Sequence, residues 1–215
     1  MHNIDLVAAA IGFGIVLISL TIHEAAHAWT ADRLGDPTAR MLGRLSLNPI
    51  VHIDPIGTLL LPILAALSGL PLIGWAKPVP VNTRNLRDPR RDFMLVAAAG
   101  PISNLLQATV LALILRGVQA GVGPQAYVLG ILQEAVIVNL MLAFFNLIPV
   151  PPLDGFTAIG VLLPEEAAGR LQSLRHSMGN FTLIGMLIAW KVFDPVFVPL
   201  FDIFIKILYP TQSYS

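Results

Sequence analysis

No cysteine occurs anywhere in the 215 residues. That excludes a disulfide framework and a thiolate metal site, so any metal must be held by imidazole and carboxylate. It also leaves the redox compartment unreadable. Charge is nearly as scarce. Only 12% of the residues are charged, about half of the ~25% usual in soluble domains. Basic and acidic side chains number 13 each and cancel, which removes the electrostatic case for a nucleic-acid partner. The N-terminal MHNID lacks the basic run of a signal peptide, and no small-residue cleavage site follows, so the first apolar segment is expected to stay. What is abundant is hydrophobic side chain, 55% of the chain. This is the composition of an integral membrane protein.

The first apolar run, 6–22, is broken only by small Gly, Ser and Thr. It leads into His23-Glu24-Ala25-Ala26-His27, an HExxH pattern. On a helix, positions i and i+4 lie one turn apart on one face, so both imidazoles can reach one ion. Glu24 can then reach a water on that ion. With 5 His and four Glu in the chain, composition alone gives roughly 0.002 such motifs, so chance explains it poorly. Two packing histidines beside a capping glutamate are the bland alternative, but ionisable residues inside an apolar helix are costly. At ~1.5 Å per residue, His27 lies about 8 Å and His23 about 14 Å from Asp32, the first downstream charge. The pair is therefore expected below a membrane interface but short of the midplane.

Two imidazoles and a water leave tetrahedral zinc one protein ligand short. The candidates are Asp154, His52, Glu134, His176 and Asp54. Asp154 follows an apolar segment among prolines and can point back into a bundle. In Leu153-Asp154-Gly155 it is also an ordinary turn residue.

Further apolar segments are expected at 56–75, 93–115, 127–147, 181–192 and 195–208. The first helix, over 6–31, should stop before Gly35-Asp36-Pro37. The sum is an all-α integral membrane protein, one polytopic domain over 1–215 with about five to six transmembrane segments. Its catalytic core is expected over about 6–155 and its C-terminal helices over about 178–209. The pieces 40–48 and 75–82 alternate with period two, and the prolines of the second restrict it to an edge. A small membrane-edge β-sheet is therefore expected. Segment 56–75 is interrupted by Pro62, Gly69, Pro71 and Gly74. Arg33, Arg40 and Arg44 precede it, and Lys77, Arg84, Arg87, Arg90 and Arg91 follow it. The positive-inside rule prefers both groups on the cytoplasmic face. Either the segment is re-entrant, or it spans and its loops fold back to that rim; the span is the expectation. Asn104, near Gly100-Pro101, reads as an interhelical hydrogen bond rather than a site residue.

HEAAH in the first helix, the Gly100-Pro101 segment, Asn146 with Pro149, and Leu153-Asp154-Gly155 resemble the site-2 protease family of intramembrane zinc metalloproteases. In order and spacing they resemble its compact prokaryotic members, from about residue 6 to about 155. The resemblance implies one Zn2+ per chain on His23, His27 and Asp154, with Glu24 as the catalytic glutamate and general base toward zinc-activated water. Asn146 matches the family's asparagine eight residues before the ligand aspartate. The implied activity is hydrolysis of peptide bonds in or near transmembrane helices of membrane-protein substrates, by a multi-pass protein of the cell membrane. The expected partners are such a substrate and the lipid bilayer. No inserted PDZ domain and no trailing regulatory domain is expected.

The tetrahedral intermediate needs a hydrogen-bond donor. Asn146 is the first choice, for that or for substrate backbone; His52 is the second, with an ordinary turn histidine as its alternative. A helical substrate must unwind, and strand edges near 44–48 or 79–82 could take it by strand addition. Asn104, Asn139, Asn146 and Thr21 could line a water path or act as helix glue. Two other classes compete. A membrane zinc transporter would use the same histidines as a transit site and needs several chained ligand clusters. A non-catalytic scaffold would bind transmembrane helices, and the intact His23, Glu24, His27 and Asp154 count against it.

Overall fold

The computed structural model describes residues 6–68, 74–121, 126–160, 163–164, 166–167 and 182–208. The first helix, α1 (Leu6–Arg33), runs two residues past its expected end. It closes through the amides of Gly35 and Asp36, bonded to the carbonyls of Asp32 (3.3 Å) and Ala31 (2.9 Å), with Gly35 at φ +112°. That pairing is a Schellman cap, which needs a residue at ease in the left-handed region. The short α2 (Thr38–Met41) closes the same way at Gly43 (φ +68°), which turns Arg44 inward to 7% exposure.

A 3-10 turn (Pro49–His52), a π-helical turn (Pro55–Leu60) and α3 (Leu61–Ser68) follow. Asp54 caps the π turn, accepting from the amides of Ile56 (3.0 Å) and Gly57 (2.7 Å). The chain then comes back. The Trp75 amide bonds Gly57 O at 3.2 Å, and Thr58 Oγ1 donates to Trp75 O at 2.8 Å. Segment 56–75 thus ends beside its own start, which corrects the expected span. Its helical part, 55–68, rises roughly 20 Å, less than the ~30 Å of a hydrocarbon core.

No β-strand forms among the described residues, so the expected small sheet is absent there. The reasons are local. Arg40 lies in α2, while Ser46 Oγ and Asn48 Oδ1 accept from the amides of Asn48 and Ile50 as turn caps. Pro78 and Pro80 have no N–H to place in a ladder. Side chains and one backbone bond hold the piece 75–82 instead. Arg44 Nη2 donates to Lys77 O (2.5 Å) and Pro78 O (3.4 Å), Lys77 N to His52 O (2.9 Å), and Asn82 N to Asp36 Oδ2 (2.7 Å). Asp36 is fully buried and also accepts from Thr38 and from Asn85 Nδ2. Burial opposes its ionisation, but these hydrogen bonds win and hold its carboxyl below the usual range.

After a 3-10 turn (Thr83–Asn85) come α4 (Pro89–Gly121), α5 (Ala126–Asn146), α6 (Asp154–Ile159) and α7 (Thr182–Leu208). α7 bends by 59° between Ile184–Phe193 and Val198–Phe204, around Pro195 and Pro199, which remove helical donors. The two expected C-terminal segments are therefore one bent helix. Among the described residues three helices, α1, α4 and α5, are long and apolar enough to cross a membrane, or four if α7 is one bent span. The expected five to six are not found there.

α4 packs between α1 and α5. Ala108, Ala112 and Leu115 meet Val136 and Leu140 in the buried layer of α4 and α5, where small side chains let backbones approach. α7 covers the turn after α5 through Ile148, Leu153, Ala189 and Phe193. Ile18, Leu106 and Val110 point outward, more than half exposed. An apolar girdle of this kind suits lipid rather than water.

Candidate metal centre

Ser19, His23 and His27 recur every four residues along one face of α1. Val96, Gly100 and Asn104 do the same on α4. The two faces meet. His27 Nδ1 lies 2.7 Å from Val96 O, and His23 Nδ1 lies 2.6 Å from Asn104 Oδ1. Gly100 sits between them, where a Cβ would collide with both imidazoles. Glycine is needed there because the two rings fill its side-chain space.

The hydrogen bonds fix the histidine tautomers. A backbone carbonyl only accepts, so His27 carries its proton on Nδ1. For His23 the constraint passes through two amides. Asn139 Nδ2 donates to Ala135 O (2.9 Å) and Ser19 Oγ (3.0 Å), which turns Asn139 Oδ1 toward Asn104 Nδ2 (2.9 Å). Asn104 Nδ2 also reaches Ser19 O at 3.5 Å. Asn104 therefore presents Oδ1 to His23, and His23 too is protonated on Nδ1. In the neutral imidazoles both Nε2 atoms are then bare lone pairs. They lie 3.0 Å apart, at 3.2 and 3.3 Å from Asp154 Oδ2.

Two imidazole nitrogens and a carboxylate oxygen thus converge, and Asp154 Oδ2 is buried with no hydrogen-bond partner. Such a cluster is repulsive unless a shared proton or a metal cation sits among its atoms. Bonds of ~2.0–2.1 Å to a tetrahedral zinc put ligand atoms about 3.3 Å apart. The spacing and the donor set fit that ion. His23, His27 and Asp154 are the group of metal-binding type found among the described residues.

Asp154 reaches the histidines because α5 ends at Asn146, and a turn through Ile148 and Val150 delivers it as the first residue of α6. Gly155 makes this possible: a Cβ there would strike the backbone of Leu147. The other third-ligand candidates are occupied or distant. Asp54 is the cap described above. Glu134 lies against Gly12, eleven residues and so roughly 16 Å up α1 from His23. His176 lies outside the described residues. The two donor candidates also hold other acceptors: Asn146 Nδ2 bonds Leu142 O (2.9 Å), and His52 Nε2 bonds Ser46 O (2.9 Å). Thr21 bonds Leu17 O at 2.7 Å. Glu24, nearly buried beside the pair, accepts from the Val79 amide at 3.2 Å.

From the sequence Asn104 and Asn139 are expected as water-path or helix-glue residues and Gly100 as part of a motif, while Ser19 is not singled out; none of the four is linked there to the histidines. For Ser19, Gly100 and Asn104 the available signal is the four-residue repeat shared by α1 and α4; Asn139 lies on α5, outside both repeats. The Asn104 amide does link helices, as expected, but it ends on a candidate ligand. Outer partners of this kind set a ligand's orientation and typically carry ~10–100-fold of metal affinity. Asn104→Leu is accordingly expected to weaken zinc binding by about that factor in a competitive chelator titration. Unchanged affinity in a folded variant would reduce Asn104 to helix glue.

The class defined by fold and site is a metal centre of HExxH type built into an apolar helical bundle. No family model and no solved structure matches the chain. Among curated proteins it is 36% identical over 207 residues to "Putative zinc metalloprotease YwhC" of Bacillus subtilis, covering 86% of this chain and 91% of that one. It is 35% identical over 182 residues to "Putative zinc metalloprotease Rip2" of Mycolicibacterium smegmatis and 34% over 179 to that of Mycobacterium tuberculosis. It spans 64% of the length of each Rip2 protein. The chain belongs to the site-2 protease family of zinc metalloproteases.

Proposed function

We propose that this chain is a membrane-embedded zinc endopeptidase that hydrolyses peptide bonds in or near transmembrane helices of other membrane proteins. The observation that carries the reading is the triangle of potential metal ligands, His23 Nε2, His27 Nε2 and Asp154 Oδ2, with Glu24 beside it. These three side chains would hold one zinc ion. When bound, zinc supplies Lewis acidity, lowering the pKa of water and polarising a carbonyl. Glu24 takes the water's proton and passes it to the leaving amine. Asn104 and Val96 O keep both imidazoles turned to the ion. Asn146 Nδ2 keeps a second N–H beside the one on Leu142 O, whereas His52 Nε2 would first have to release Ser46 O before donating to a substrate.

The setting supports the same reading. α1, α4 and α5 cross the bilayer of the cell membrane as parts of one polytopic domain over 1–215, and segment 56–75 enters and returns. Asp154 closes the site from the end of α5. A zinc transporter is not favoured, since among the described residues one ligand cluster is present and a transit path needs several. A non-catalytic scaffold has no use for the bare acceptors.

The test is cleavage by the purified protein in proteoliposomes, with a panel of tagged single-span helices and a soluble unstructured peptide. The expected result is zinc-dependent cleavage within one or more of the helices. Zinc flux across the vesicles with no cleavage of any helix would overturn the reading in favour of transport.

A further inference from the structure

Segment 77–80, Lys77-Pro78-Val79-Pro80, passes directly over the candidate base. Its chemistry is unusual. Proline has no amide hydrogen, so Val79 N–H is the one backbone donor between Pro78 and Pro80. Proline also drives the residue before it to extended backbone, and Lys77 and Val79 both precede prolines. The stretch is therefore straight by its covalent structure and loses little entropy on being held.

That single donor points at Glu24 Oε2, at 3.2 Å. Backbone N–H···O bonds run from ~2.7 to ~3.2 Å, so this contact lies at the long, weaker end of the range and is exchangeable. The segment is held from the side by Arg44, through the carbonyls of Lys77 and Pro78, the two that precede the Val79 N–H. Arg44 is buried, and its Nε has no partner. A buried guanidinium is costly unless charge and acceptors compensate it. Burial pulls its pKa down, and the charge of Glu24 pulls it back up. Holding a two-proline loop against the bundle would not by itself call for a buried charge beside the base.

We propose that Arg44 is a positioning residue of the hydrolytic site: by gripping the carbonyls of Lys77 and Pro78 it presents the Val79 N–H beside Glu24, where that amide donates to the scissile carbonyl of the substrate. The inference rests on the protease reading and names the electrophilic donor that reading needs. In the resting protein the amide is parked on Glu24. When an unwound substrate enters, its carbonyl takes the amide, and the released Glu24 oxygen turns to water. A proline-flanked amide gives a single contact rather than a ladder. It therefore suits any peptide sequence without recruiting a full added strand.

The test uses the full chain in proteoliposomes with one cleavable single-span helix. Val79→Pro deletes the amide hydrogen and keeps the backbone extended, while Val79→Ala trims the side chain and keeps the amide. The reading is the ratio between these two variants at equal zinc content. Val79→Pro is expected to turn over at least ~10²-fold more slowly than Val79→Ala, mostly in kcat. Arg44→Ala is expected to lose kcat with zinc retained, and millimolar guanidinium should recover several-fold of it in Arg44→Ala but not in Val79→Pro. If Val79→Pro and Val79→Ala agree within about threefold, the amide is no donor and the proposal fails, whatever Arg44→Ala does. If folded, zinc-loaded Arg44→Ala gains nothing from guanidinium, its positioning role fails. Absence of cleavage by the wild type would sink the protease reading itself, and this inference with it.

Discussion

Glu24→Gln is expected to lower the rate of peptide cleavage by ~10²–10⁴-fold, the range for removing a general base. Zinc content should not change. The substitution is nearly isosteric, and its amide oxygen can still accept from Val79 N–H, so the 3.2 Å contact has a replacement. His23 and His27 keep their own partners, Asn104 Oδ1 and Val96 O, because neither depends on Glu24. Single-turnover cleavage of a reconstituted single-span helix, with metal analysis of the same sample, separates the two effects. Cleavage by Glu24→Gln within about fivefold of wild type would remove Glu24 from the chemistry, since a base contributes far more.

Asp154→Ala is expected to act at the opposite end of the problem. It leaves two imidazoles, and a site needing three protein ligands should hold less than a tenth of the wild-type zinc at nanomolar free ion. Cleavage falls with it. In the metal-free protein Asp154 Oδ2 still faces both imidazoles, at 3.2 and 3.3 Å, an ion pair whenever one of them is protonated. The metal-stripped variant is therefore expected to melt at or below the temperature of the metal-stripped wild type. The stabilisation that zinc gives the wild type should vanish in it, as linkage requires of a site that no longer binds. Zinc content equal to wild type would show that the third ligand lies elsewhere.

How much of this could be read beforehand depends on the range over which each feature is determined. HExxH is a local, helical pattern, and its geometry follows from 3.6 residues per turn. The stop at Gly35 and the segments of α4 and α5 were legible for the same reason: each depends on neighbours within a turn or two. From position alone Asp154 was legible as the best of five candidates, and only the family resemblance singled it out. Its choice depends on where the end of α5 arrives, which no local pattern encodes. The expected sheet failed because period-two alternation has a second origin. Ser46 and Asn48 alternate as turn caps, and Pro78 and Pro80 alternate as breakers of a ladder. The C-terminal pair of segments merged because Pro195 and Pro199 bend a helix without ending it. The relay from Ala135 O through Asn139 and Asn104 to His23 joins three helices, and only its four-residue spacing showed in the chain.

The meeting of Trp75 with Gly57 carries a consequence in parity. Each passage of the chain from one end of the bundle to the other reverses the end at which the next residue stands. α1 delivers His23 and His27 toward one end, α4 leaves it, and α5 brings Asp154 back. Two passages cancel. Had segment 56–75 been a third, the count would be odd, and Asp154 would face away from the histidines across the whole thickness of the bundle. The closed excursion is thus a condition for the three acceptors to meet at all. The same closed excursion keeps Arg33, Arg40 and Arg44 on the side of Lys77, Arg84 and Arg87. The conflict between a crossing segment and its flanking charges was therefore the shadow of a constraint on the metal centre.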